Sequence, residues 1–271
     1  MSYDQHPGLR WSRLSAGLQS GKRLRHELDH GRADTSALGL GRVAHMVTLT
    51  PDAPIATVPP EHLTPSGALS TSAKTRAWAA EAGEFASPAD LATAQAIAAA
   101  VYGHAQARQL LDMCATREQP VYATLPGVGA VKCKPDAYDA FSGTLVDLKT
   151  HSSRSGSITI RSVQQAVTRY QYAGQMAYYR RVMAAAGLPV SEVVLIFVES
   201  SVPHDVIVAR LGDDWMTYGD ALVDEALAVW ALVSAGTVEG VAPEVVDLPM
   251  PAWLVEDADS DDVAELGLEG M

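Results

Sequence analysis

Three ionisable residues near the middle of the chain have the types and spacing of a metal-dependent hydrolytic site: Asp136, Asp147 and Lys149. Alternate residues of a strand face the same way, so Asp147 and Lys149 should project together while Leu148 projects from the opposite face. A hairpin turn at 141–142 would place Asp136 directly opposite Asp147. Two adjacent carboxylates repel unless a cation lies between them, and oxygen ligands of this kind suit Mg²⁺ or Mn²⁺. An Asp-x-Lys on its own, however, is also common as a solvated ion pair.

A second hairpin would bring another acidic residue to this pair. If the preceding turn is centred on Gly127, Glu118 lies opposite Asp136, whereas a half-residue shift of the turn brings Gln119 there instead. The spacing leaves both alternatives open.

Three further candidates lie on predicted helices. Gln175 and Tyr179 have i, i+4 spacing and therefore share one helix face. They could position a phosphate or a water, or they could belong to an amphipathic helix that packs its tyrosines in the core. His45 lies on an apolar helix face, where a histidine is either hydrogen-bonded in the core or a ligand.

The elements that must position these residues follow from periodicity and from turn residues. Residues 12–50 are predicted to be helical, and the proline-rich stretch 50–67 to be an irregular loop. Ser87 and Pro88 form a helix start, and the alanine-rich helix after them should run to about Met113. The remaining predicted elements are strands at 120–126, 130–138 and 144–150, a helix from about Ser162 to Ala186, strands at 191–200 and 204–211, and a helix from Asp213 to Ala235.

Charge is distributed unevenly along the chain. The net charge is −12, and residues 256–271 hold seven of those twelve excess negative charges, which is typical of a solvated, disordered tail. By contrast, residues 150–181 contain five arginines and no acidic residue. A local basic surface is what contacts with phosphates require. The predicted DNA-contacting residues in this region are Arg161, Arg169, Arg180 and Arg181.

Composition excludes several protein classes. No apolar run approaches the ~20 residues of a membrane span, and the first residues lack the apolar core of a signal peptide. Cys114 and Cys133 are the two cysteines, too few for a disulfide framework or a zinc finger. The composition is that of a globular protein, for which we expect a cytoplasmic location.

An ordered set of motifs resembles the PD-(D/E)XK nuclease superfamily. The set is His45, Glu118, Lys134-Pro135-Asp136, Asp147-Leu148-Lys149 and Gln175-x-x-x-Tyr179, supported by the segments RLSAGL and GRVAHMVTLTPD. The histidine and the QxxxY pattern are similar to its RecB-like branch, and above all to the RecE-type, exodeoxyribonuclease VIII-like exonucleases of phages and prophages. The resemblance covers about residues 10–235. Asp147 stands where many relatives have Glu, and Lys134 where Arg is frequent.

The resemblance implies an α/β fold: a restriction-endonuclease-like core with a mixed central sheet flanked by helices and an N-terminal helical elaboration. We expect one domain over residues 1–255, helical at about 10–115 and with its catalytic core at about 116–236, followed by the tail 256–271.

The resemblance also implies roles for the site residues. Asp136, Asp147, the carbonyl of Leu148 and His45 would hold Mg²⁺, for which Mn²⁺ could substitute. Glu118 would be a ligand or an acid beside the ligands. Lys149 would position the attacking water and stabilise developing charge. Gln175 and Tyr179 would contact DNA or the water network.

The implied activity is digestion of one strand from double-stranded DNA ends, 5′ to 3′, by a ring-shaped homo-oligomer in a bacterial host cell. The remaining strand would pass to a single-strand annealing protein. The alternatives are an endonuclease, a repair or CRISPR-associated nuclease of the same fold, and a non-catalytic DNA-end-binding protein. An acidic DNA mimic is disfavoured by the arginine-rich stretch. His151, just beyond the catalytic strand, is expected at the surface.

Overall fold

The computed structural model describes residues 3, 5–31, 36–152, 157–242, 245, 247 and 248, with the side chains of 36–38 left aside. The predicted acidic tail at 256–271 lies outside these residues. The helices in the described part of the chain are α1 (Trp11–Leu14), α2 (Gly21–His30), α3 (Ser36–Leu49), α4 (Ala73–Glu81), α5 (Pro88–Gly103), α6 (Ala105–Met113), α7 (Ile160–Arg169), α8 (Tyr172–Ala185) and α9 (Asp213–Ser234). The strands are β1 (Ala56–Thr57), β2 (Phe85–Ala86), β3 (Thr116–Arg117), β4 (Val121–Leu125), β5 (Gly129–Cys133), β6 (Ala137–Asp139), β7 (Thr144–His151), β8 (Glu192–Glu199) and β9 (Val206–Arg210).

The central sheet is mixed. Its strand order is β3-β6-β7-β8-β9, with β7 and β8 parallel and the other neighbours antiparallel. Helices α7 and α8 form the crossover that two parallel strands require. Strands β4 and β5 form a separate hairpin, and β1 pairs with β2. This mixed sheet with flanking helices confirms the predicted fold class.

Each face of the sheet has its own apolar core. Leu145, Leu195 and Phe197 pack on one face with residues of α8 and α9, among them Met176 and Val223. The other face packs on α3 and α5, and its core includes Val43, Ile97, Val146, Leu148 and Ile196. Because β7 alternates between the two faces, Leu148 lies in the second core while Asp147 and Lys149 face α8.

Two predicted helices are each divided in the structure. Ser87 caps α5 by accepting a hydrogen bond from the Asp90 amide, and Pro88 is its first residue, as predicted. The alanine-rich stretch does not run unbroken to Met113, however, because His104 ends α5 and its side chain caps α6.

The predicted helix 162–186 is likewise α7 followed by α8. The break is at Gln171, whose φ of 57° is left-handed. This stretch contains no proline, and its one glycine, Gly174, lies inside α8 and not at the break, so no residue at the break itself predicts the interruption. The break changes the direction in which residues 169–172 project, and all four of these residues line the cavity described below.

None of the helices in the part of the chain that the structure describes is both long and apolar enough to cross a membrane.

Candidate active site

The β6–β7 hairpin brings two carboxylates together. Ala137 pairs with Val146 and Tyr138 with Leu145, which is the register expected for Asp136 opposite Asp147. Asp136 directly precedes β6, and its Oδ2 accepts a hydrogen bond from the Leu148 amide at 2.7 Å. Both side chains are buried, with Asp147 only 1% exposed. The predicted juxtaposition of the two acids is confirmed.

Glu118 joins the pair through the neighbouring strand. Arg117 pairs with Ala137, and the Glu118 amide donates to the Asp136 carbonyl at 3.0 Å. The register therefore selects Glu118 over Gln119, which is exposed. Glu118 has a φ of 52°, and its carboxylate forms an ion pair with Lys134. Lys134 thus neutralises an acid at the edge of the site.

His45 reaches the acids from α3. Its Nδ1 lies 3.3 Å from Asp136 Oδ2 and 3.9 Å from Glu118 Oε1. Burial alone would lower the pKa of His45, but the charge of Asp136 and hydrogen bonds to Asp136 and Glu118 raise it to about 10. Burial also works to raise the pKa of Asp136, yet the His45 charge outweighs it and keeps that pKa below its usual value. The histidine is therefore paired with acids at the site and is not an apolar core residue.

These three side chains form a possible metal-binding cluster. One ligand atom from each of His45, Glu118 and Asp136 lies within 4.8 Å of the others. The predicted ligands were His45, Asp136, Asp147 and the carbonyl of Leu148, with Glu118 as a ligand or an acid beside them. Asp147 is the adjacent carboxylate; it is almost fully buried, and its Oδ2 forms an ion pair with Lys149. Two carboxylates with one imidazole, and a third carboxylate beside them, fit a hard divalent ion such as Mg²⁺ or Mn²⁺.

Lys149 lies between Asp147 and the amide of Gln175. Its Nζ is 2.5 Å from Asp147 Oδ2 and donates to Gln175 Oε1 at 3.0 Å, while Gln175 Nε2 donates to Asp147 Oδ1 at 3.4 Å. Burial and repulsion from Asp136 raise the pKa of Asp147 to about 6, although Lys149 opposes the increase. For Lys149, burial works to lower the pKa, but the charge of Asp147 outweighs it and raises that pKa. A single lysine ammonium is thus oriented by a carboxylate and an amide.

The tyrosines of α8 complete this side of the site. The Lys149 ammonium lies 4.5 Å from the centre of the Tyr172 ring, a cation–π contact. Tyr179 shares the cavity with Gln175, and burial raises the pKa of its hydroxyl well above the usual value, so it remains a neutral donor. The sequence alone assigned no role to Tyr172. Its contact with Lys149 depends on the break before α8.

Except for Asp147, which is buried, these groups line one cavity of about 1190 Å³. Its far wall comes from the N-terminal helices and includes Trp11, Ser15 and Arg23. The sequence alone assigned no role to these three residues, although Ser15 belongs to the segment RLSAGL that supports the family resemblance. Trp11 approaches α8 closely because residue 174 is glycine: a Cβ there would lie 2.5 Å from the indole ring.

The four predicted DNA-contacting arginines do not lie together. Arg169 lines the cavity, whereas Arg161, Arg180 and Arg181 do not. Arg180 forms an ion pair with Asp220 of α9, and Arg181 donates to Asp220 at 3.1 Å and to Asp224 at 2.6 Å. These two arginines connect α8 to α9.

His151 is buried, so the expectation of a surface position was wrong. It is 9% exposed at the end of β7, where it faces Phe197 edge-on at 6.2 Å. The reason is the long parallel pairing of β7 with β8, which runs as far as His151 and Glu199.

A family comparison agrees with this geometry. Residues 18–248 match the sequence profile of a family described as a PDDEXK-like domain of unknown function. The chain belongs to this family. The matched range contains Pro135-Asp136 and Asp147-Leu148-Lys149, which are residues of the types that the name PDDEXK spells.

Comparison with solved structures agrees on the fold. A crystal structure from Eubacterium rectale, described as a candidate exonuclease, superposes with a TM-score of 0.59 at 14% sequence identity. The match covers 94% of this chain and 97% of the other. At this identity the likeness concerns the fold. Comparison with curated proteins finds no match.

Proposed function

We propose that this PDDEXK-like protein is a metal-dependent nuclease that hydrolyses phosphodiester bonds of DNA from double-stranded ends. The observation that supports it most is the convergence of His45, Glu118, Asp136 and Lys149 on one cavity, with Asp147 buried directly against Lys149. Five polar groups from four separate elements meet there, and structural stability does not require that convergence. Buried acids in such number normally cost stability unless a site uses them.

The residues divide into two groups by position. His45, Glu118 and Asp136, with Asp147 beside them, would hold the divalent ion, which supplies Lewis acidity to the phosphodiester when bound. Lys149 presents its ammonium to the same space and would stabilise charge that develops on the phosphate. Gln175 fixes the direction of that ammonium, since its Oε1 accepts from Lys149 Nζ. Tyr179, held neutral, can donate to a phosphate oxygen or a water.

The finer features of the proposal derive from the resemblance to RecE-type exonucleases. They are 5′ to 3′ polarity, a ring-shaped homo-oligomer, transfer of the remaining strand to a single-strand annealing protein, and action in the cytoplasm of a bacterial host during phage-type recombination. Each of these features could be wrong while the protein still hydrolyses DNA.

The test uses purified protein with Mg²⁺ on linear and on closed circular duplex, with each 5′ end labelled in turn. We expect digestion of the linear substrate only, with early release of a 5′ label. Cleavage of the circle would instead indicate an endonuclease of the same fold. Binding to ends without hydrolysis would indicate a non-catalytic end-binding protein.

Variants connect the activity to the site. Asp136→Asn and Asp147→Asn should abolish hydrolysis without unfolding the chain, and Lys149→Ala should lose orders of magnitude in rate. Asp112→Asn is the matched control, because Asp112 lies on α6 outside the cavity with its side chain 56% exposed. Full activity in a folded Asp147→Asn protein would refute the assignment.

A further inference from the structure

The turn between α7 and α8 forms part of the cavity wall. Arg169, Tyr170, Gln171 and Tyr172 all line the cavity. Gln171 adopts a left-handed backbone conformation that residues other than glycine seldom adopt, and such conformations concentrate at functional sites. The conformation is held because the Gln171 amide donates to Thr168 and its carbonyl accepts from Gln175.

The break brings two tyrosine rings together. In a continuous helix, residues two apart project in different directions. Here the ring centres of Tyr170 and Tyr172 lie 5.6 Å apart. The Arg169 guanidinium carbon lies 5.7 Å from the centre of the Tyr170 ring, and Lys149 Nζ lies 4.5 Å from that of Tyr172. A continuous row of cationic and aromatic groups thus runs from the catalytic lysine to the mouth of the cavity.

The two rings differ in exposure. Tyr172 is partly buried and packs against Phe197, with ring centres 6.1 Å apart. Tyr170 is 54% exposed, at the mouth of a cavity whose other lining groups are largely polar or charged. The exposed tyrosines Tyr122 and Tyr218 do not line the cavity. Tyr170 thus keeps about half of its surface exposed although its ring contacts Tyr172 and Arg169.

We propose that Tyr170, supported by Tyr172, is a stacking platform for an unpaired nucleobase of the strand being cut, with Arg169 contacting the adjoining phosphate. Aromatic platforms flanked by cations bind single-stranded nucleic acid because every base offers a π face. A base inside a duplex has both faces covered by its neighbours, so the platform takes a strand only where it is frayed or single-stranded. The inference rests on the proposed nuclease function and extends it to the form of the substrate.

The test measures binding in an Asp147→Asn background, which prevents digestion, with a labelled oligothymidylate and an abasic strand of the same length. Tyr170→Ala should weaken binding of the oligothymidylate roughly five- to a hundred-fold and leave the abasic strand unaffected. Tyr170→Trp should restore most of the affinity. Tyr218→Ala, which removes an exposed ring elsewhere, should change neither affinity, and melting curves should show that all variants fold.

Two results would overturn the platform: equal affinity of Tyr170→Ala and its parent for oligothymidylate, or an equal loss on both strands, which indicates a structural effect. A cleavage assay on the unmodified protein distinguishes failure of the platform from failure of the proposed nuclease function. If that protein cuts DNA while either result holds, only the platform is wrong. If it neither cuts nor binds DNA, both proposals are wrong.

Discussion

Gly219 of α9 faces the backbone of α8, and this contact determines how closely the two helices approach. A Cβ at position 219 would overlap the carbonyl oxygen of Ala173 and lie 2.7 Å from its carbonyl carbon. It would also lie 3.1 Å from the Ala177 Cβ. Because the obstructing atoms belong to the backbone, no side-chain rotation relieves the overlap. In Gly219→Ala, α8 and α9 must therefore move apart.

The expected cost comes from two opposing effects. Overpacking destabilises by about 1–3 kcal/mol, and a backbone obstacle favours the upper end of that range. Alanine recovers ~1 kcal/mol through its higher helix propensity. The net loss of about 2 kcal/mol should lower the melting temperature by roughly 4–8 °C for a chain of this size. Gly103→Ala is the matched control, since a Cβ at that exposed helix position meets nothing within 4 Å. It should raise the melting temperature by up to about 4 °C.

Thermal unfolding followed by circular dichroism compares the two variants. Nuclease activity at a temperature where Gly219→Ala remains folded provides a second readout. Helix α8 carries Gln175, which orients Lys149. A displaced α8 should therefore reduce the rate in Gly219→Ala and leave it unchanged in Gly103→Ala. A Gly219→Ala protein that melts at or above the unmodified protein would refute the close-contact argument.

Three further predictions concern metal, phosphate contacts and the tail. Mg²⁺ or Mn²⁺ should support hydrolysis and Ca²⁺ little of it, because calcium coordination is looser; activity undiminished by EDTA would contradict this. Arg169→Ala should reduce the slope of log affinity against log salt by ~1, whereas Arg181→Ala, which removes a contact to Asp224, should lower stability and leave the slope unchanged. Truncation after Leu254 should preserve folding and activity, and DNA affinity should stay equal or rise at low salt. Dissociation into monomers on size exclusion, or inactivity at every salt concentration, would show that the tail is structural.

Much of the site could be predicted because its geometry is local. Hairpin register follows from the turn position, so the opposition of Asp136 to Asp147 depends on a few residues of connecting chain. Glu118 lies opposite Asp136 because β3 and β6 continue the register that the turn of the β4–β5 hairpin sets. Strand alternation likewise separates Leu148 from its two neighbours without reference to any other element. The helix start at Ser87 is local too, since the capping hydroxyl bonds the amide three residues later.

Contacts between distant elements had to come from the tertiary structure. His45 lies far from Asp136 in the sequence, with several helices between them. Only the packing of α3 against the sheet brings the His45 ring to the carboxylates. The same holds for Arg180 and Arg181, whose basic sequence context indicated DNA although α9 supplies acids to pair with them.

The break between α7 and α8 is the clearest case of a feature that the sequence by itself did not determine. Tyr170 and Gln171 carry no helix-breaking signal, so local propensity favours a continuous helix. The interruption instead accompanies contacts that α8 makes with other elements, Lys149 with Tyr172 and Gln175 among them. Local periodicity thus determined which residues share a face or a hairpin, because those relations depend on backbone geometry over short spans. Tertiary packing decided where the helix ends and which side chains from other elements meet the carboxylates, because those positions depend on burial and charge pairing across the whole fold.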